Sequence, residues 1–183
     1  MSPLDVRPAG SPDAEFIRSC LTEHFTSTFV ALHDELIDAS ALPNLIAWSG
    51  TTPAGLLSYR SALRPASAGN RDSASDDRAG RPAATEWEIV AIATDLPGRG
   101  VGTALIDALR DRARAARVPL LWLVTTNNNT NALRFYQRKG FDLVRIDRGA
   151  VDRARLRKPS MPTHVDGIPM RHEIELEMVV DPV

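Results

Sequence analysis

Cysteine occurs once in the 183 residues, at Cys20. A single thiol excludes a disulfide framework and a cysteine-built metal centre, and no metal is expected. Charge of one sign is also lacking. The formal net charge is −1, so no basic field argues for nucleic acid. No apolar run reaches the ~20 residues of a bilayer span. Met1 to Gly10 lacks the apolar core of a signal peptide. The expectation is a cytoplasmic protein, monomer or homodimer, without a membrane or nucleic-acid partner. Internal repeats and heptads are absent. Hydrophobic residues make up 43% and charged residues 25%, an ordinary globular balance, and the length suits one domain, 1–183.

What is present concentrates between Glu86 and Phe141. Glu86 to Thr94 reads as a strand, followed by the turn Asp95-Leu96-Pro97 and the glycines of Gly98-Arg99-Gly100-Val101-Gly102. An amphipathic helix opens from those glycines and runs to about Arg114. A second apolar run, Leu120 to Val124, follows, and an Asn-rich segment leads into Ala132-Leu133-Arg134-Phe135-Tyr136 and Gly140-Phe141. Strand, glycine turn, helix, strand is a unit whose helix N-terminus presents unpaired N–H groups suited to phosphate.

Two common phosphate-binding patterns do not fit. A dinucleotide fingerprint needs a third glycine, where Thr103 or Leu105 stands. It also needs an acidic residue about 20 residues on, where Leu120 to Val124 runs into Thr125-Thr126-Asn127. A P-loop needs Gly-Lys-Ser/Thr, which does not follow.

The stretch resembles the GNAT superfamily of acyl-CoA-dependent N-acetyltransferases. That family's central motif, Gln/Arg-x-x-Gly-x-Gly/Ala at a helix start, becomes Pro97-Gly98-Arg99-Gly100-Val101-Gly102, with Pro97 replacing the long polar residue. Its later signature is met at Asn129, Ala132, Phe135, Tyr136, Gly140 and Phe141. The two motifs cover about a third of the chain. The resemblance implies an α/β GNAT fold. Its sheet is mixed and mostly antiparallel, with about seven strands flanked by about four helices. The fourth and fifth strands splay around the cofactor.

The resemblance also implies the site. Acetyl-CoA is the acyl donor substrate, and no metal is involved. Gly98, Arg99, Gly100, Val101, Gly102 and Thr103 hold the pyrophosphate. Glycine lets the backbone approach without a Cβ clash, and Arg99 adds a cation. Ile92 and Thr94 offer backbone groups to the pantetheine arm, as an added strand would. Asn129 contacts the cofactor, and it equally suits an N-cap for the helix to Lys139. Tyr136 is the acid for the leaving thiolate, or an aromatic core residue beside Phe135. Glu86 and Glu88, two apart on a strand and so on one face, are the candidate bases; a solvent-facing strand start is the plain alternative. Cys20 offers no ping-pong route, because its spacing suggests no activating His.

The remaining chain extends the pattern. Strands are expected near 4–8, 44–49, 53–61, 86–94, 119–125, 141–147 and 173–180. Helices are expected from Asp13 to about Phe25 and from about Phe29 to Ser40. The family's acceptor-lining region falls there, which makes His24, His33 and Asp34 worth noting, with a surface or half-buried helix residue as the plain reading of each. Residues 64–85 are rich in Pro, Ala, Ser, Gly, Asp and Arg and read as a flexible surface loop. Residues 148–170 form an insertion before the last strand, with a basic solvated helix or loop at Arg148–Lys158. Glu23, Asp34, Glu35, Asp38 and Glu173 read as surface charge, though a cationic amine would suit them. The Ala- and Arg-rich composition fits a GC-rich bacterial genome. The implied function is transfer of acetyl from acetyl-CoA directly to an amine of a small molecule or peptide. A non-catalytic acyl-CoA-binding or regulatory domain of the same fold is the alternative.

Overall fold

A computed structural model describes residues 4–61, 86–96 and 98–180. The expected loop at 64–85 and Pro97 lie outside the described residues. Alternating and apolar runs become β1 (Leu4–Pro8), β4 (Asn44–Ser49), β5 (Thr52–Ser61), β6 (Trp87–Thr94), β7 (Leu120–Thr126), β8 (Asp142–Asp147) and β11 (Glu173–Val179). They form one seven-stranded sheet in the order β1-β4-β5-β6-β7-β11-β8. Each expected strand is present to within two residues. Every pairing in this sheet is antiparallel except β6 with β7. The helix between them, α2 (Val101–Ala115), is the crossover that a parallel pair requires.

The β6–β7 ladder is short. It joins Trp87 to Leu121, Glu88 to Trp122 and Ile89 to Leu123, and goes no further. Beyond it β6 stays paired with β5 out to Thr94 opposite Gly55. On the other side β7 stays paired with β11 out to Thr126 opposite Glu173. The two strands therefore part into a fork, and the expected splay is present. A bulge marks its root. Tyr59 opposes Ile89 and Ser58 opposes Ala91, so Val90 is the extra residue. Bulges bend a strand and sharpen its twist, which turns β6 away from β7 where the ladder stops.

The sheet separates two apolar layers. On one face α2 and α3 (Thr130–Arg138) bury Val101, Leu105, Leu109 and Tyr136 against Leu45, Leu57, Leu121 and Leu123. On the other, α1 (Ala14–Phe25) buries Ile17, Cys20 and Leu21 against Ile46, Leu56 and Val90. The close seat of α2 depends on Gly55. A Cβ there would lie 2.6 Å from Val101 Cγ1 and 2.8 Å from the Ala93 carbonyl oxygen. Gly55→Ala is therefore expected to destabilise the fold by about 1–3 kcal/mol through overpacking. An unchanged urea midpoint would refute that contact.

The expected helix over 29–40 is instead a hairpin. β2 (Phe29–Leu32) pairs with β3 (Glu35–Asp38), Val30 opposing Ile37. Its tip is His33-Asp34, with φ of 53° and 59°. Two left-handed residues in succession break a helix, and they match the twist of a tight hairpin. Val30, Leu32 and Ile37 satisfy strand alternation as readily as helical spacing. The chain had already left α1 at Thr26, itself left-handed at φ 65°.

The segment 148–170 holds the expected helix as α4 (Ala150–Arg157), then the short hairpin β9 (His164–Val165) and β10 (Ile168–Pro169). It is anchored rather than merely solvated. Arg155 donates to the carbonyls of Met161, Pro162 and Met170. Lys158 Nζ donates to the carbonyls of Phe25 and Phe29 at 2.9 and 2.8 Å, and Arg153 meets Asp34 at 3.2 Å. The insertion thus clamps the β2–β3 hairpin over the sheet. Among the described residues no helix is long and apolar enough to cross a membrane.

Candidate active site

The glycine turn meets the fork from the α2 side. Gly98 and Gly100 have φ of 76° and 79°, values an L side chain rarely adopts. A Cβ on either would meet nothing within 4 Å, so the turn faces open space. Gly100 is the N-cap of α2 and provides no side-chain cap. The first helical bond runs from Ala104 N–H to the Gly100 carbonyl. The N–H groups of Val101, Gly102 and Thr103 thus form an uncapped first turn with the positive end of the helix dipole behind it. Arg99 is exposed beside them. Val101 turns its side chain into the core, so its backbone alone is offered outward.

The aromatic segment packs onto the glycine turn directly. A Cβ on Gly102 would come 3.1 Å from Phe135 Cζ, so glycine is what lets α3 seat there. Asn129 accepts from Ala132 N–H at 3.2 Å and caps α3. Tyr136 is 5% exposed, with its ring 5.2 Å from Phe135 and 5.5 Å from Phe141. Burial pushes its phenol up from the ordinary value. The core half of its two readings is met; a role for the hydroxyl is a separate matter. Thr94 Oγ1 accepts from Leu96 N–H and donates to the Ala54 carbonyl, which closes the end of β6 into the turn. Ile92 is half-buried against the α2 layer.

The two glutamates part company. Glu86 precedes β6 and is half-buried. Glu88 is fully buried at the root of the fork. Its Oε1 is 2.8 Å from His33 Nε2, and its Oε2 accepts from Arg60 Nε. Arg60 also reaches Glu35 at 3.2 Å. His33 Nδ1 lies 3.8 Å from Glu173 Oε2, and the imidazole rests on Trp122 with ring centroids 5.2 Å apart. Burial opposes a charged imidazole. The hydrogen bond and charge of Glu88, with the charges of Glu173 and Glu175, more than offset it, so His33 titrates above its ordinary value. Burial raises Glu173, and the charge of His33 partly counters it.

Sequence reading placed several of these residues differently. Glu173, taken as surface charge, is 4% exposed. It lies opposite Thr126, and Glu175 opposite Val124, so both carboxylates share the face of Glu88 and Trp122. Arg60, Trp122 and Glu175 had no motif to mark them. The signal was the alternation of Glu173, Glu175 and Glu177 with the apolar Ile174, Leu176 and Met178 on one strand. Arg145 meets Glu175 at 2.7 Å and balances it. His24, the other histidine singled out, lies away from Glu88 and bonds Asp95 at 2.9 Å. It is also the neighbour that Cys20 was expected to lack, with ligand atoms of Cys20, His24 and Asp95 all within 4.8 Å of one another. The thiol is nonetheless pushed up to about 12 by burial, with Asp95 and Glu23 adding to it. A thiol so shifted is a weak nucleophile, which argues against a covalent intermediate on Cys20.

Comparison with known proteins agrees with this fold. A family model described as the acetyltransferase (GNAT) family matches residues 14–141. Two curated relatives are the uncharacterized proteins YdhI and YxbD of Bacillus subtilis. They are 36% identical over 97 residues and 38% identical over 90 residues. Those matches cover 52% and 49% of this chain and 61% and 57% of the relatives, so the chain spans about three fifths of the relatives' length. An IAA acetyltransferase of Bacillus cereus superposes with a TM-score of 0.63 at 20% identity, covering 97% of this chain and 99% of that one. A Bacillus subtilis acetyltransferase in complex with CoA gives 0.62 at 18%, with the same coverage. NAA60 of Arabidopsis thaliana, in complex with a bisubstrate analogue, gives 0.67 at 15%, covering 99% and 100%. At these identities the likeness to solved structures is one of fold.

Proposed function

We infer that this chain, which belongs to the acetyltransferase (GNAT) family, moves an acetyl group from acetyl-CoA directly to an amine within a ternary complex. The observation that carries the reading is the fork. From Val90 to Thr94 one edge of β6 has no strand beside it, and that edge ends in the glycine turn. An extended pantetheine arm can add to such an edge while its pyrophosphate meets the N–H groups of Val101, Gly102 and Thr103. The open space at Gly98 and Gly100 fits a phosphate, and Arg99 supplies a counter-charge. Asn129, at the head of α3, faces the same ligand from the β7 side.

The chemistry follows from what lies at the root of the fork. The acceptor nitrogen forms a bond to the acetyl carbonyl carbon, and the carbon–sulfur bond breaks. The ammonium proton goes to the Glu88–His33 pair. Glu88 is enclosed, and the His33 side chain is also buried, at 6% exposure. In its neutral form His33 takes the proton at Nδ1 while its Nε2 proton passes to Glu88. Glu86 is the second carboxylate at that strand end. Tyr136 returns a proton to the departing CoA thiolate. Backbone N–H groups on the free edge of β6 stabilise the charge developing on the carbonyl oxygen. The acceptor enters from the side of α1 and the β2–β3 hairpin, where Glu88, His33 and Glu173 face. A small-molecule amine or a peptide amine both fit that description.

Calorimetric titration with acetyl-CoA, CoA and NADH tests the reading. Acetyl-CoA and CoA are expected to bind and NADH not to, and an amine panel should then release thiol. In that assay Tyr136→Phe should lower turnover at unchanged CoA affinity. Binding of neither acetyl-CoA nor CoA would overturn the cofactor assignment. Binding without thiol release from any amine would favour a non-catalytic acyl-CoA-binding domain.

A further inference from the structure

Away from the root of the fork, three side chains of ligand type converge where α1 ends. Cys20 and His24 stand four residues apart on one face of the helix. Asp95 comes from the turn that follows β6, fixed by its own N–H on the Ala54 carbonyl at 3.2 Å. The thiol, imidazole and carboxylate donor atoms all lie within 4.8 Å of one another. Cys20 is 3% exposed, while the side chains of His24 and Asp95 are 32% and 40% exposed. The cluster thus has a buried thiol and two partly exposed donors.

We propose that Cys20, His24 and Asp95 form a three-ligand site for one divalent cation of the zinc class, with the fourth position open to water. Sulfur, nitrogen and oxygen donors in one set suit zinc or cobalt. Magnesium and calcium, which take oxygen ligands, do not suit it. With bonds of about 2.0–2.3 Å, tetrahedral donor atoms at zinc stand roughly 3.3–3.8 Å apart, so donors that all lie within 4.8 Å need to close by about 1 Å at most to share one ion. The 2.9 Å contact between His24 and Asp95 needs to open by only a few tenths of an ångström. Binding displaces the Cys20 thiol proton to solvent, and the negative charge that Asp95 and Glu23 set toward the sulfur favours the cation that replaces it. The three residues join α1 to the turn leading into Gly98. A bound ion therefore ties the acceptor-side helix to the glycine turn.

Cobalt(II), a spectroscopic stand-in for zinc, tests this on the purified full chain after chelator treatment. One equivalent is expected to bind with a sulfur-to-cobalt charge-transfer band in the near ultraviolet, and zinc should abolish the band. Cys20→Ser should remove the band. His24→Ala and Asp95→Asn should each weaken binding by at least about 10-fold, while His164→Ala should leave it unchanged. Far-ultraviolet circular dichroism checks that each variant folds; if Asp95→Asn does not, the band in Cys20→Ser decides. Absence of the band in the wild type would overturn the site. So would equal cobalt affinity in the three variants, which would place the ion on an exposed histidine elsewhere.

Discussion

Glu88→Gln is expected to cost about 3 kcal/mol of stability, to flatten the pH dependence of stability near neutrality, and to lower acetyl transfer about 100-fold. The stability loss comes from breaking a buried charge pair on one side only. Glu88 is fully buried and serves both His33 and Arg60. Removing one partner of such a pair costs about 3–5 kcal/mol, and Gln, which keeps the volume, sits at the low end. The pH effect follows from the sign of the shift. His33 titrates above 6.5 in the folded chain, held up against burial by Glu88. A raised folded value means that the contribution is complete below 6.5 and is lost as pH rises through the folded value. Glu173, raised by burial from 4.5, has the same sign at lower pH. Wild-type urea midpoints should therefore fall between pH 6 and the alkaline side of neutrality. In Glu88→Gln that slope should shrink, because the carboxylate charge that raises His33 is gone. The kinetic loss is the low end of what a positioned base contributes. Equal slopes in the two proteins would refute the coupling, and wild-type turnover would remove Glu88 from the proton path.

Gly100→Asp is expected to weaken CoA binding about 1000-fold with little loss of folding. The new Cβ meets nothing within 4 Å, so no steric collapse follows. The cost to the fold is that of holding a non-glycine residue at φ 79°, about 1–2 kcal/mol, and Asp tolerates that region better than most. The cost to binding is larger. A carboxylate at this N-cap accepts the very N–H groups that a pyrophosphate needs and sets like charge beside it. Two charge-assisted hydrogen bonds at roughly 1.5–3 kcal/mol each account for the factor. Isothermal titration with CoA reads the affinity and a urea melt reads the fold. Unchanged affinity would refute the phosphate seat at the glycine turn. A melt that fell far more than 2 kcal/mol would show that Gly100 serves the fold first.

Local pattern determined much of this protein. Gly98, Gly100 and Gly102 declare a turn into a helix from their spacing alone. Backbone chirality and an uncapped helix start are properties of a few adjacent residues. Asn129 as an N-cap and the strands at 44–49, 53–61, 86–94 and 173–180 are legible for the same reason. Tertiary structure decided the rest. The hairpin at 29–38 was hidden because Val30, Leu32 and Ile37 fit both periods, and only the left-handed pair His33-Asp34 tips the choice. That turn carries His33 to Glu88, 55 residues on. Strand register then adds Arg60 and Glu173. Cys20 and His24 are neighbours in sequence, yet Asp95 reaches them across 71 residues. Spacing reports what one helix or strand puts on a face. Which faces meet is set by how the bulge at Val90 and the short β6–β7 ladder open the sheet, a balance of pairing and packing spread over the whole chain.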